Sequence, residues 1–188
     1  MTSQEETALS AEEESNLVAR AKEGDETAIS RLYRQYAPGV YGYIACRVRD
    51  PAAADNLTSE VFLRALEGLA QFEYRGIAIS AWLYRIAHDR MADHFCRQAR
   101  RPIIPPEDEH LPAQDGIDQA VDARLPVEQV GKVIERLTAE QHQVVLLRFV
   151  AGFTLKEIAY VMDRSTDAIK MLQLRALTCL RQLVAQTS

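Results

Sequence analysis

"TLKEIAYVMDRSTDAIKMLQLRALTCLRQL", Thr154 to Leu183, reads as two short helices separated by a tight break. Thr154 followed three residues later by Glu157 has the spacing of a capping box, in which each side chain satisfies the other's free backbone N–H. Leu155, Ile158, Ala159 and Met162 give the first helix one apolar face, and Ala159 is small enough for a close helix crossing. "DRS" has the length of a helix-turn-helix turn, and Ser165 or Thr166 suits the cap of the second helix. There Ile169, Leu172, Ala176, Leu180 and Leu183 share one side; Asp167, Lys170, Met171, Leu174, Arg175 and Thr178 share the other. Such a pair fits a DNA reader or an ordinary helical hairpin, and Met171 and Leu174 equally fit contact with a neighbouring helix.

Working outward, the helical period persists. "SAEEESNLVARAKEGD" starts with Ser10 as a cap and Glu13 three residues on, and Gly24 ends it. Ile29, Leu32, Tyr33 and Tyr36 form the next stripe, continued by Val40, Tyr43, Ile44 and Val48, with Pro38 between them as a kink or a fresh start. Asp50-Pro51 opens a helix carrying Leu57, Val61, Leu66 and Leu69. "EYRGIAIS" breaks the pattern, and "AWLYRIAHDRMADHFCRQARR" resumes it on Trp82, Ile86, Met91 and Phe95. Pro102 to Pro126 is rich in proline and acid and buries too little apolar surface to order a domain, so it reads as a linker. Four further helical patterns follow, beginning with "VEQVGKVIERL" and "AEQHQVVLLRFVA". No stretch alternates with period two. The expected fold is all-α: two small helical domains, 1–101 and 127–188, joined by an acidic, proline-containing linker, 102–126.

The 188 residues carry a net charge of -5, but the charge is segregated. "EETALSAEEE" and the linker are acidic, while "RQARR" (Arg97 to Arg101) is basic, so the total does not exclude a nucleic-acid partner. The 3 cysteines are scattered, and the 4 histidines have no ligand spacing with them. That pattern suits a reducing compartment and argues against a metal site. No signal peptide or stretch long enough to span a membrane is present, so a cytoplasmic location is expected. Paired carboxylates, a nucleophile–base set and a P-loop are all missing; neither enzymatic activity nor a cofactor is expected.

"LTAEQHQVVLLRFVAGFTLKEIAYVMDRSTDAIKMLQLRALTCLRQL" resembles the fourth region of bacterial RNA polymerase sigma factors through Leu137, Val144, Glu157-Ile158-Ala159, Ile169-Lys170 and Arg175-Ala176. Independently, "DNLTSEVFLRALEGLAQFE" is similar to the family's second-region helix, and "YRGIAISAWLYRIAHDRMADHFCRQARR" to the loop and helix after it. The order, without a third region, resembles the extracytoplasmic-function (ECF) group. The resemblance implies a transcription initiation factor that binds the β and β′ subunits of core RNA polymerase and recognises a -35 and a melted -10 promoter element. It implies that Asp55, Asn56, Leu57, Glu60, Val61 and Arg64 dock on the clamp helices of β′, with Leu57 and Val61 also owed to the core. It assigns the -10 strand to the loop of Tyr74 and Arg75 and to Arg85, His88, Arg90, Arg97, Arg100 and Arg101. Physically, extruded bases need loop pockets and phosphates need a basic helix. Tyr74 is the candidate for base stacking, and Trp82 is a core anchor beneath the loop. The -35 readers by position are Arg164, Thr166, Lys170, Met171, Leu174 and Arg175. An anti-sigma partner is implied by the resemblance alone.

The sequence departs from the family pattern at Asn56, where Asp is common, at Asp89, where Asn is common, and at Ala78-Ile79, where Pro-Phe is frequent. These changes bear on the -10 preference rather than on the fold. The acidic linker fits either an RNA-like track toward the polymerase active site or a plain spacer. The competing reading is a stand-alone helix-turn-helix regulator; it accounts for the C-terminal half and leaves "DNLTSEVFLRALEGLAQFE" without a role.

Overall fold

The structure, a computed structural model, describes residues 11–74, 76–100 and 137–187, except the side chains of 11 and 183–187. Every regular element among them is helical. The proposed linker, the "VEQVGKVIERL" pattern and the Ser10 cap lie outside the described residues.

Helix α1 (Ala11–Lys22) buries Leu17, Val18 and Ala21. Gly24 then turns the chain with φ +85, a conformation glycine adopts without a Cβ clash. Asp25 caps α2 (Glu26–Ala45) by accepting from the Thr27 and Ala28 amides, while Arg20 pairs with it at 2.5 Å. The Arg20 hydrogen bond, reinforced by the Ala28 amide, holds the Asp25 carboxyl below the usual carboxylate range. Pro38 neither starts nor ends a helix: α2 runs through it. Val40, Tyr43 and Ile44, all buried just beyond it, anchor that turn, and burial offsets the backbone bond proline cannot make.

Asp50 caps α3 (Pro51–Gly68) through the Ala52 amide, and Pro51 occupies the first turn, where no amide is needed. A short 3-10 turn (Leu69–Gln71) leads to the loop. Helix α4 (Ile79–Arg100) starts two residues earlier than the apolar pattern suggested. Helices α2, α3 and α4 close on Val40, Ile44, Leu57, Val61, Ile79, Leu83, Ala87 and Met91. Trp82 is a half-buried anchor, as expected: its ring centroid is 4.9 Å from that of Phe72. A Cβ added at Gly68 would come within 3.2 Å of its indole, so the absence of a side chain there lets α4 approach α3.

The described part of the C-terminal unit starts with Leu137. Thr138 and Gln141 form a capping box on α5 (Ala139–Val145), which loosens into a single π-helical stretch, Leu146–Val150. Gly152, with φ +74, turns the chain into α6 (Leu155–Val161). Thr154 and Glu157 make the reciprocal capping bonds that their spacing predicted. Asp163 sits in the turn with φ +52, and Ser165 caps α7 (Thr166–Thr187) by accepting from the Ala168 amide at 3.2 Å. Val144, Leu147, Ile158, Val161, Ile169 and Ala176 are fully buried between these helices.

The two units also touch. Phe153 meets Tyr84 edge-on at 4.9 Å between ring centroids. Arg85 donates to the Tyr160 carbonyl at 2.9 Å and to Asp163 at 3.2 Å, and stacks over the Tyr160 ring. Arg47 reaches the Ala139 carbonyl at 3.3 Å. Burial pushes the Tyr84 hydroxyl up to about 12, so it stays protonated at neutral pH.

Candidate nucleic-acid interface

Helix α7 presents its expected readers together. Thr166, Lys170 and Leu174 follow one another at steps of four, with Met171 and Arg175 in the adjacent row, and all five are exposed. Met171 and Leu174 are 49% and 56% exposed, so they do not belong to a neighbouring helix. Asp167 pairs with Lys170 at 3.0 Å, and Glu140 with Arg164 at 2.7 Å. Both pairs are solvent-exposed and therefore weak, under about 1 kcal/mol, so phosphates can displace the carboxylates. Arg175 is exposed and makes no ion pair among the described residues. The result is an exposed face with two cations beside two apolar side chains at the start of a long helix. These are residue types that major-groove readers use, basic groups for phosphates or guanine edges and methyl-bearing side chains for thymine.

The second surface centres on the loop between α3 and α4. Tyr74 is 48% exposed, and its ring lies 6.2 Å from that of Phe72 at a near-perpendicular angle. Arg97 and Arg100 are exposed on the last turns of α4. Arg90 is held by Asp93 at 2.9 Å, and His88 Nδ1 lies 3.6 Å from the Asp89 carboxylate. Arg75 and Arg101 lie outside the described residues. Arg85 is not on an open surface: the C-terminal unit occupies its guanidinium through Tyr160 and Asp163. A polar side chain on the outer face of a helix was legible in the sequence; a partner 78 residues away was not.

On α3, Asp55, Asn56, Glu60 and Arg64 are exposed and lie along one side. Leu57 and Val61, expected to serve both a partner and the core, serve the core alone. They are 2% and 0% exposed, point into the α2–α4 core, and offer a partner no surface. The apolar element of this face is instead Leu63 and Leu66, 63% and 47% exposed, with Tyr33 of α2 beside them against Phe62. Sequence reasoning missed these because Leu66 reads as one apolar stripe with Leu57, Val61 and Leu69; for Leu63, its spacing of six and two from Leu57 and Val61 was the available signal. The two groups separate by mutation. Leu57→Ala should lower unfolding stability by about 3 kcal/mol, as a cavity in a tight core does. Leu63→Ala should leave it within about 0.5 kcal/mol. Chemical denaturation of both variants reads the difference.

Among the described residues no cluster of His, Cys, Asp and Glu fits a metal, and no helix is long and apolar enough to cross a membrane.

Comparison with known proteins adds to this geometry. Residues 32–101 match Sigma-70 region 2, and residues 133–182 match Sigma-70, region 4. The chain is 39% identical over 171 residues to the ECF RNA polymerase sigma factor BldN of Streptomyces coelicolor, covering 89% of this chain and 64% of BldN. It is 30% identical over 171 residues to the ECF RNA polymerase sigma factor SigD of Mycobacterium tuberculosis, covering 88% of this chain and 81% of SigD. In the structure of CnrH in complex with the cytosolic domain of CnrY, a similar fold superposes with TM-score 0.68 at 21% identity, over 93% of this chain and 99% of the other.

Proposed function

The chain belongs to the ECF RNA polymerase sigma factors, and on that footing we propose that it binds core polymerase and directs promoter-specific initiation from a -35 and a melted -10 element. The observation that carries this reading is the pairing of two matched regions in the right order with two exposed surfaces of suitable chemistry. Residues 133–182 supply the helix-turn-helix for -35, read by Lys170, Met171, Leu174 and Arg175, with Arg164 and Thr166 at the phosphates. Residues 32–101 supply docking on β and β′ through Asp55, Asn56, Glu60 and Arg64 together with Leu63. The loop of Tyr74 and the cations Arg97 and Arg100 take the -10 strand, joined by Arg85 once the two units part. The domain limits 1–101 and 127–188 and the spacer between them are part of this proposal. Bond formation is left to the polymerase, the chain acts in the cytoplasm beside it, and an anti-sigma protein is the remaining expected partner on family grounds.

Run-off transcription tests the reading. Purified protein, sigma-free core polymerase and genomic DNA from the host should give discrete 5′ ends sharing motifs near -35 and -10. Starts no different from core enzyme alone would sink it, and binding to duplex DNA without polymerase would favour the stand-alone regulator.

Arg175 gives a sharper check. If it takes a phosphate, Arg175→Ala should weaken holoenzyme binding to all -35 duplexes alike and reduce the log–log salt slope by about 1. If it reads a base, the loss concentrates at one position, about 1–3 kcal/mol there. Equal affinity and slope in the variant would remove Arg175 from the interface.

A further inference from the structure

Helix α1 lies upstream of the matched region, which begins at residue 32. It nevertheless grips both ends of the loop that carries Tyr74. At the entry, the Lys22 ammonium donates to the Phe72 carbonyl and lies 5.9 Å over the Phe72 ring. At the exit, the Glu14 carboxylate accepts three times. One oxygen takes the Tyr36 hydroxyl at 2.7 Å; the other takes the Tyr74 hydroxyl at 3.1 Å and the Ile79 amide at 3.4 Å. Ile79 is the first residue of α4, so Glu14 supplies from another helix the cap that the local sequence lacks. Glu14 and Lys22 are eight positions apart, about 12 Å along one face of α1, which matches two anchor points bracketing a short loop.

We propose that α1 is a clasp for the strand-reading loop, with Glu14 a positioning residue that fixes the Tyr74 ring in a stacking-ready pose. The inference rests on the reading of that loop as the -10 surface. Its physical basis is preorganisation. A half-exposed tyrosine held by its hydroxyl loses less freedom when a base stacks on it. The Tyr36 bond fixes the carboxylate in turn, because a half-buried hydroxyl without an acceptor is costly. Burial and the Glu14 carboxylate both push the Tyr36 hydroxyl above its ordinary range, so it remains a donor across the working pH range.

The experiment uses full-length protein assembled with core polymerase and a single-stranded oligonucleotide carrying the -10 motif that run-off mapping defines. Glu14→Ala should weaken binding of this strand and slow open-complex formation, each by about tenfold. Affinity for core polymerase and for a -35 duplex should stay unchanged, a split that general destabilisation would not produce. Glu14→Gln, which keeps one acceptor oxygen, should recover part of the loss. Tyr74→Phe should weaken strand binding in the wild-type background and add nothing to Glu14→Ala, because both remove the same bond. If Tyr74→Ala weakens strand binding while Glu14→Ala does not, the clasp is wrong and the loop reading survives. If Tyr74→Ala has no effect, the loop reading falls and the clasp with it. If Glu14→Ala lowers polymerase and strand affinity in parallel with thermal stability, Glu14 is structural only and the proposal is overturned.

Discussion

Ile169→Ala should unfold the C-terminal unit and abolish -35 binding while the N-terminal unit stays folded. Ile169 is 0% exposed and faces Val144, Leu147, Ile158 and Val161, all equally buried. Removing three carbons from such a site costs about 2–5 kcal/mol, the lost transfer energy plus the cavity left behind. A unit of this size has about 5 kcal/mol or less in reserve, because a small domain buries a small share of its surface. The loss therefore consumes most of the margin. Circular dichroism on heating should show an early transition that wild type lacks, and limited proteolysis should cut first after Leu137. Arg181→Ala, exposed on the same helix, should melt like wild type. A variant at Ile169 with unchanged melting would mean that α7 is held by something other than this core.

Arg85→Glu should open the contact between the two units, as should Asp163→Arg. Each change turns the 3.2 Å attraction between the two side chains into repulsion. The pair is well exposed on the Asp163 side, so by itself it is worth under about 1 kcal/mol. Arg85 also loses its bond to the Tyr160 carbonyl and its stacking on that ring, together about 1–2 kcal/mol more. The open population should rise roughly thirtyfold, read as a larger radius of gyration in solution scattering. The double variant restores the ion pair but not the Tyr160 contacts, so it should close only in part. Identical scattering from all four proteins would show that this contact does not hold the units together. The point matters for mechanism. Elements named for positions -35 and -10 lie about 25 base pairs apart, about 85 Å of duplex. Two units joined through Arg85, Tyr84 and Phe153, whose longest described helices have 22 residues and so run about 33 Å, fall short of that span. On the proposed promoter reading, engaging both elements parts the two units and frees the Arg85 guanidinium from Tyr160 and Asp163.

How far the sequence could be read depended on the range of each interaction. The capping boxes at Thr138 and Thr154, the turn at Asp163 to Ser165 and the outward row on α7 all rest on partners within four residues, and residue spacing encodes them. Leu57 and Val61 were harder. A helix packed on two sides has two apolar stripes, and only the placement of α2 and α4 decides which leucines remain outside. Pro38 was ambiguous for a similar reason, since burial on either side decides between a kink and a continuous helix. Nothing local marks Glu14, whose partners are 22, 60 and 65 residues away. In a first turn of three glutamates it reads as ordinary helix-end charge, and the early start of α4 at Ile79 follows from that same unread contact.

Asp163 stands in a left-handed conformation that glycine would adopt with less strain, and its carboxylate faces Arg85. Two physical demands therefore meet at one position. A glycine would relax the turn and firm the helix-turn-helix, yet it would delete the anion that helps to keep the halves together. The backbone that shapes the DNA-facing turn and the latch between the halves thus meet in one residue, so a change there alters both at once.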